Sequence, residues 1–474
     1  MRNRSLFLPL WLLLCPLAMR AQQVVAQQII AQLPDAPQLQ AQAQQPTSAL
    51  NSATTNSSRS LPEDSTGETL TRQQAEQLAL RNNPRISVAA LLALAQKQVV
   101  RETRSALLPT LDGNVTGVDA EEASRLSSGS LAASRLLYHV GAGVDLNQLI
   151  TDFGHTSNLV ASSSFEAKAS EQRSEATRED IVLAADIAFY NALEAQATLQ
   201  VAESTVNARQ TVSDQIDALT ANNLKSTLDQ SFAQVDLSQA KLLDLDSQNQ
   251  FDAATADLNE VLGTTNDQQY SLVDDPLPPQ PVATSAEAVI ALALQQRPDL
   301  LALKLNHEAD LRFSRAQHDQ LLPTVSGLGV VGLTPVGSST YFTTNRYGAA
   351  GVNIGIPIFH GFKFHAQATE ADLRARASDE QSRVLINRIV RDVRTAWLRA
   401  NTAKKKMTVT AELLKEANTA LDLADTRYRA GLSSIVELSQ AQLQQTQAEI
   451  GEANARFDYE ADLAALRFQS GSQP

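Results

Sequence analysis

The chain has 474 residues, enough for two or three ordinary domains, and a formal net charge of −13. No basic stripe offsets that charge, so a nucleic-acid partner is excluded. Aromatic residues make up only 5%, poor material for a thick core, whereas the abundant Ala, Gln, Leu and Ser suit long helices packed through small side chains.

Arg2 and Arg4, an apolar stretch from Leu6 to Leu17, and small residues at Ala18 and Ala21 read as a secretory signal peptide over 1–21. The stretch is too short to span a membrane as a helix. It holds the single cysteine, Cys15, where Leu14 and Pro16 disfavour a lipid attachment. Cleavage near Ala21 leaves no disulfide or thiol chemistry. Residues 22–66, rich in Gln, Ala and Ser without a sustained apolar period, read as a flexible leader.

A first repeat is predicted over 67–263. Thr71 to about Leu107 reads as a helix, opened by a Thr71/Gln74 capping box and stopped by Pro109. Leu111 and Val115 then alternate with Asp112, Asn114 and Thr116. Val140, Ala142, Val144 and Leu146 alternate with His139, Gly141, Gly143, Asp145 and Asn147. Period two predicts two strands, each with one apolar face, around an exposed loop over 120–137. From His155 to Leu262 there is neither glycine nor proline. This predicts two long helices joined near Asn222-Asn223. A helix over 155–219 would run about 95 Å at ~1.5 Å per residue, a rod that must pack beside others.

Residues 264–283, rich in Asp and Pro, form a predicted linker to a second repeat over 284–474. A helix is expected from about Ser285 to Leu322, with Thr284 and Glu287 as capping box. A strand follows near 324–334, then one in which Ala350, Val352, Ile354, Ile356 and Ile358 share a face. Residues 362–470 lack proline and contain only Gly431 and Gly451.

The two halves repeat each other. Leu78-Ala79-Leu80 before Pro84 returns as Leu292-Ala293-Leu294 before Pro298, and Leu107-Leu108-Pro109 as Leu321-Leu322-Pro323, at one offset (298 − 84 = 214). Asp214 and Asp217 match Asp422 and Asp425, Leu224 matches Leu432 and Gly263 matches Gly471 at 471 − 263 = 208. A heptad seam runs from Val393 through Ala396, Ala400 and Ala403 to Ala424 and Tyr428, and its counterpart begins at Ala185. Alanine at so many seam positions means close helix approach and favours an assembly of many helices.

No later segment reaches 18 consecutive apolar residues, so a membrane role must be built from strands. Four strands cannot close a barrel, and an open sheet in lipid leaves edge groups unpaired. Two chains would supply eight strands and three would supply twelve. Small, polar lumen residues favour the wider trimer. The competing reading is two soluble hairpins packed on a core.

These residues resemble the TolC family of outer-membrane efflux proteins from about Leu70 to Gly471. Leu78-Ala79-Leu80 with Asn83-Pro84 looks like the family's opening motif, and Leu108-Pro109 and Leu322-Pro323 like its helix-to-strand junctions. Phe359-His360-Gly361 resembles its strand-to-helix exit, echoed by Asp152-Phe153-Gly154. Arg427-Tyr428-Arg429-Ala430-Gly431-Leu432 with Val436-Glu437-Leu438 is similar to the turn at the periplasmic tip. The counterpart Ala221-Asn222-Asn223-Leu224 lacks the Arg-Tyr and the Gly, but Asn can take the left-handed conformation that Gly takes. The resemblance implies a mainly α chain with a membrane β-barrel, assembled as a homotrimer. Its twelve strands would span outer-membrane lipid of a Gram-negative envelope, and its long antiparallel helices would form a periplasmic α-barrel. The partners implied are a periplasmic adaptor and an inner-membrane transporter. The implied function is a passive exit duct for tripartite efflux or type I secretion, not an enzyme. An adaptor-like coiled-coil binding protein without a channel is the alternative, and it predicts a single hairpin.

Asp214, Asp217, Asp422 and Asp425 precede each tip and are the candidate gate, since carboxylates ringed by threefold symmetry would attract cations. A solvated helix face is the competing reading. Asn222, Asn223, Leu224, Arg427, Tyr428, Gly431 and Leu432 are the candidate tip and adaptor-docking residues. Gly431 is expected at a positive φ. Tyr428 and Arg427 could tie neighbouring helices together. Lys404-Lys405-Lys406 reads as a solvated face. Glu76 and Glu287 show no pairing for acid/base work, the six histidines lack metal-ligand spacing, and no cofactor motif is present.

Overall fold

The computed structural model describes residues 69–119, 138–264, 270–274, 285–333 and 346–471. The predicted signal peptide, leader and 120–137 loop lie outside these residues, as does Thr284. The elements run β1 (Thr69–Leu70), α1 (Arg72–Asn82), α2 (Pro84–Ser105), β2 (Thr110–Asp119), β3 (Tyr138–Thr151), α3 (His155–Ala221) and α4 (Thr227–Leu262). They continue as β4 (Ser271–Leu272), α5 (Ala286–Gln296), α6 (Pro298–Asp319), β5 (Thr324–Leu333), β6 (Arg346–Gly355), α7 (Lys363–Arg429) and α8 (Ile435–Ser470).

Helices pair off by length: 11 residues in α1 and α5, 22 in α2 and α6, 67 in α3 and α7, 36 in α4 and α8. Starts before the sheet differ by 214 (286 − 72) and those after it by 208 (363 − 155). The six residues lost therefore lie between the first strand of each pair and the following long helix.

Each predicted leading helix is in fact two. Pro84 brings no N–H to continue α1, and Asn83 caps α2 by accepting from the Arg85 amide at 3.0 Å. Pro298 breaks the second copy at the same place. The Thr71/Gln74 capping box forms as predicted. The cap of α5 is Ser285, whose hydroxyl accepts from the Ala288 amide. The predicted linker contains β4, which pairs in parallel with β1.

The four long strands form one antiparallel sheet in the order β2-β3-β5-β6. Register puts Leu111 opposite Leu146, Val144 opposite Val331, and Val325 opposite Ile354 on one face. The other face carries Asp112, Asn114, Asp145 and Asn353, with the Asn114 side-chain amide donating to Asp145. The apolar face is bare in the protomer: Val115 is 79% exposed and Val352 66%. The last strand is shorter than its alternation suggests. It ends at Gly355, and Ile356 and Ile358 lie beyond it because Pro357 offers no ladder donor.

The main core lies where α1, α5 and the short parallel pair meet the long helices, around Ile181, Phe189, Tyr190, Leu258, Ile389 and Val393. The residues of the predicted seams are buried or half-buried along both α3 and α7, from Ala185 and Val393 onward, and Lys404, Lys405 and Lys406 are exposed. Among the described residues no helix is long and apolar enough to cross a membrane.

Candidate functional site

The two helical tips share one geometry. At the first, Asn223 sits at φ 58°, and its N–H donates to Thr220 while that of Leu224 reaches back to Leu219. At the second, Gly431 sits at φ 71°, and the N–H of Leu432 reaches back to Arg427 at 2.8 Å. Both are Schellman-type closures. Asn223 takes Gly431's role, and the Asn222 side chain adds a hydrogen bond to the Ala218 carbonyl at 2.8 Å. Leu224 and Leu432 project into solvent, 69% and 73% exposed. Helix α4 then starts with a Ser226/Asp229 capping box, whereas at the second tip Arg427 pairs with Glu437 at 3.3 Å.

Beneath the tips a small cluster joins the hairpins: Ile216, Ala233, Ala424, Tyr428, Ile435 and Leu438. Tyr428 is buried, and among the described residues its hydroxyl has no hydrogen-bond partner. The four aspartates flank this cluster. Asp214 and Asp422 are exposed, and Asp217 and Asp425 half-buried, so the pattern is the same in both copies. Their partners differ: Gln210 donates to Asp214, Arg429 pairs with Asp425 at 2.9 Å, and Asp217 keeps a buried oxygen without a partner among the described residues.

The outer membrane efflux protein family profile matches residues 75–264 and again 289–472. The chain belongs to the outer membrane efflux protein family. The outer membrane protein TolC of Vibrio cholerae is 23% identical over 425 residues, 83% of this chain and 89% of that protein. A membrane protein from Pseudomonas aeruginosa superposes with a TM-score of 0.75 at 21% identity, covering 84% of this chain and 93% of that one. The Campylobacter jejuni CmeC outer membrane channel gives 0.74 at 18% identity, covering 90% and 94%. The efflux protein is thus an outer-membrane channel component built on the TolC-like fold, and its named relatives are outer-membrane proteins and channels.

Three features of this efflux protein escape sequence reasoning. The first is Lys225, whose ammonium lies 3.9 Å from the Tyr428 ring centroid and joins the first tip to the second hairpin. Its only sequence signal is its position one residue past the tip leucine.

The second is Arg209, on the α3 seam where α7 has Ala417. Its buried guanidinium donates to the Thr446 hydroxyl at 3.5 Å, and Ser439 donates to the nearby Asp236. Burial pulls the Arg209 pKa down and Asp236 opposes it. Ser439 and Thr446 belong to α8, so this cluster bridges the hairpins at a place the other copy fills with alanine.

The third is a buried ionic cluster around Glu76. Arg72 pairs with Glu76 and lies 3.4 Å from Asp186, all within the main core. Burial and the neighbouring Glu76 push the Asp186 carboxyl up to about 7, against the pull of Arg72. Burial also raises the Tyr190 phenol, with Glu460 adding to it. The second copy places Ala286, Ile290 and Arg394 at these positions, and Arg394 reaches Glu287 only at the surface.

Proposed function

We propose that three copies of the chain close one channel, in which twelve strands form an outer-membrane β-barrel and the long helices form a periplasmic tunnel. The observation that carries this reading is the open sheet. Among the described residues its edge strands β2 and β6 lack outer partners, yet its exposed face is apolar. Such a sheet cannot enter lipid alone, because each unpaired edge group costs several kcal/mol there. Pairing β6 of one copy with β2 of the next removes both edges. The helices are equally incomplete. Leu228, Val235 and Leu242 recur every seventh residue on α4 and are exposed, which supports a seam against a second copy.

The channel serves as the passive exit duct of a tripartite efflux or type I secretion system. An inner-membrane transporter supplies the energy and a periplasmic adaptor docks at the tips. Asn222, Asn223, Leu224, Arg427, Gly431 and Leu432 form the docking turns, where the two protruding leucines offer apolar contact. Asp214, Asp217, Asp422 and Asp425 form the gate, and Tyr428 with Lys225 holds the tip closed. A lone adaptor is disfavoured because the chain folds two hairpins and a four-stranded sheet.

Reconstitution in planar bilayers tests the reading. The purified trimer should give discrete single-channel steps that multivalent cations block. Asp422→Ala with Asp425→Ala should raise conductance and weaken the block. Absence of steps from a folded trimer overturns the channel, and unchanged block in the double variant removes the gate.

A further inference from the structure

The junction between β6 and α7 exposes apolar side chains that the sheet does not require. Ile358 is 91% exposed, Phe359 73% and Phe362 75%. Phe362 adopts φ 64°, a left-handed conformation that residues with a side chain rarely hold, where the first copy has Gly154 at φ 122° (362 − 154 = 208). Only the second copy ends this strand-to-helix turn on an aromatic residue, and its side chain is exposed.

The two junctions differ in their polar groups. At the first, Asp152 accepts from the Thr156 amide at 2.7 Å, Asp319 accepts from Asn158, and His155 meets the Ala316 carbonyl at 2.7 Å. These groups are spent inside the fold. At the second, His360, Lys363 and His365 are all exposed, and among the described residues no carboxylate pairs with Lys363. They line an open cleft of about 170 Å³ together with Ile358, Phe359 and Phe362.

Strand length sets the level of this cleft. Strand β6 has 10 residues, the span of a tilted transmembrane strand, so the chain leaves the hydrocarbon near Gly355. Apolar rings beside a lysine and two imidazoles then fall at the boundary between acyl chains and headgroups. The sheet's lipid-facing surface runs directly into this patch.

We propose that residues 356–365 bind an anionic phospholipid of the membrane's periplasmic leaflet. Lys363, flanked by His360 and His365, takes the phosphate, and Ile358, Phe359 and Phe362 wedge between the first acyl segments. A trimer carries three such sites. The inference rests on the barrel reading above and adds a ligand class and the residues that recognise it.

The trimer in nanodiscs of phosphatidylethanolamine with phosphatidylglycerol provides the test. Tryptophan at Phe359→Trp or Phe362→Trp should be quenched by acyl-brominated lipid. The resident Trp397 should not be, since it lies 35 residues along α7, about 50 Å at ~1.5 Å per residue. Phosphatidylglycerol retained on the released trimer, counted by native mass spectrometry, should fall roughly fivefold in Lys363→Gln with His360→Gln and His365→Gln, the factor one cation at an anionic surface supplies. Unquenched tryptophans in a channel that still conducts would mean that a second copy or water covers the rings. Equal lipid retention would remove the headgroup site. Failure of the wild-type trimer to conduct would strike the barrel reading, and this inference with it.

Discussion

Asp186→Asn should flatten the pH dependence of stability. The wild-type carboxyl is held up at about 7 from an ordinary 3.8 because it is buried beside Glu76. A carboxyl raised in the folded state stabilises the fold fully below pH ~4, and that contribution is lost as pH climbs through about 7. About three pKa units at about 1.4 kcal/mol each set a ceiling of roughly 4 kcal/mol. On the order of 2–4 kcal/mol is expected. At ~2.1 cal/mol/K per residue over about 400 folded residues, 1 kcal/mol moves Tm by about 1 °C. Far-UV circular dichroism melts of the detergent-solubilised trimer should therefore show wild type losing about 2–4 °C more than Asp186→Asn between pH 4 and pH 7.5. Other raised carboxyls, Glu179 among them, are common to both proteins and cancel in the comparison. Parallel melting profiles would show that Arg72 neutralises the cluster completely and would refute the argument.

Gly263→Ala should destabilise far more than Gly431→Ala in the same melts. Both glycines have positive φ, but a methyl at Gly263 would lie 2.8 Å from the Asn82 backbone while one at Gly431 meets nothing within 4 Å. Strain alone predicts about 1 kcal/mol at Gly431, and equal losses would contradict the close approach. Val235→Asp should leave helicity intact and convert the trimer to monomer on size-exclusion chromatography, since a buried unpaired charge replaces an apolar seam contact. A stable trimer would show that this stripe faces solvent. Lys225→Ala should raise spontaneous opening in bilayers about tenfold, matching the 1–2 kcal/mol of a desolvated cation–π contact, while Tyr428→Phe should keep the closed state. Equal behaviour of the two variants would show that the contact does not restrain the tip.

Local chemistry explains what could be read early. Period two marked the strands, and the glycine- and proline-free runs marked the 67- and 36-residue helices, because side-chain spacing and backbone breakers act within a few residues. The shared offset placed Asn223 and Gly431 at equivalent turns, and the left-handed conformation open to both residues made the tips alike. The predicted leading helices are too long because Pro84 and Pro298, besides carrying the repeat motif, break the backbone ladder.

Folding alone decided what meets across long stretches of chain. Arg72 reaches Asp186 over 114 residues, Arg209 reaches Thr446 over 237, and Lys225 finds Tyr428 in the other hairpin. Periodicity says which face of a helix is buried, not which residue of a distant helix covers it. That choice is made by packing two nearly identical hairpins side by side, where a buried charge persists only with a partner in reach. The repeats therefore determined the architecture from sequence, while the points at which the two copies differ acquired their meaning only in the folded chain.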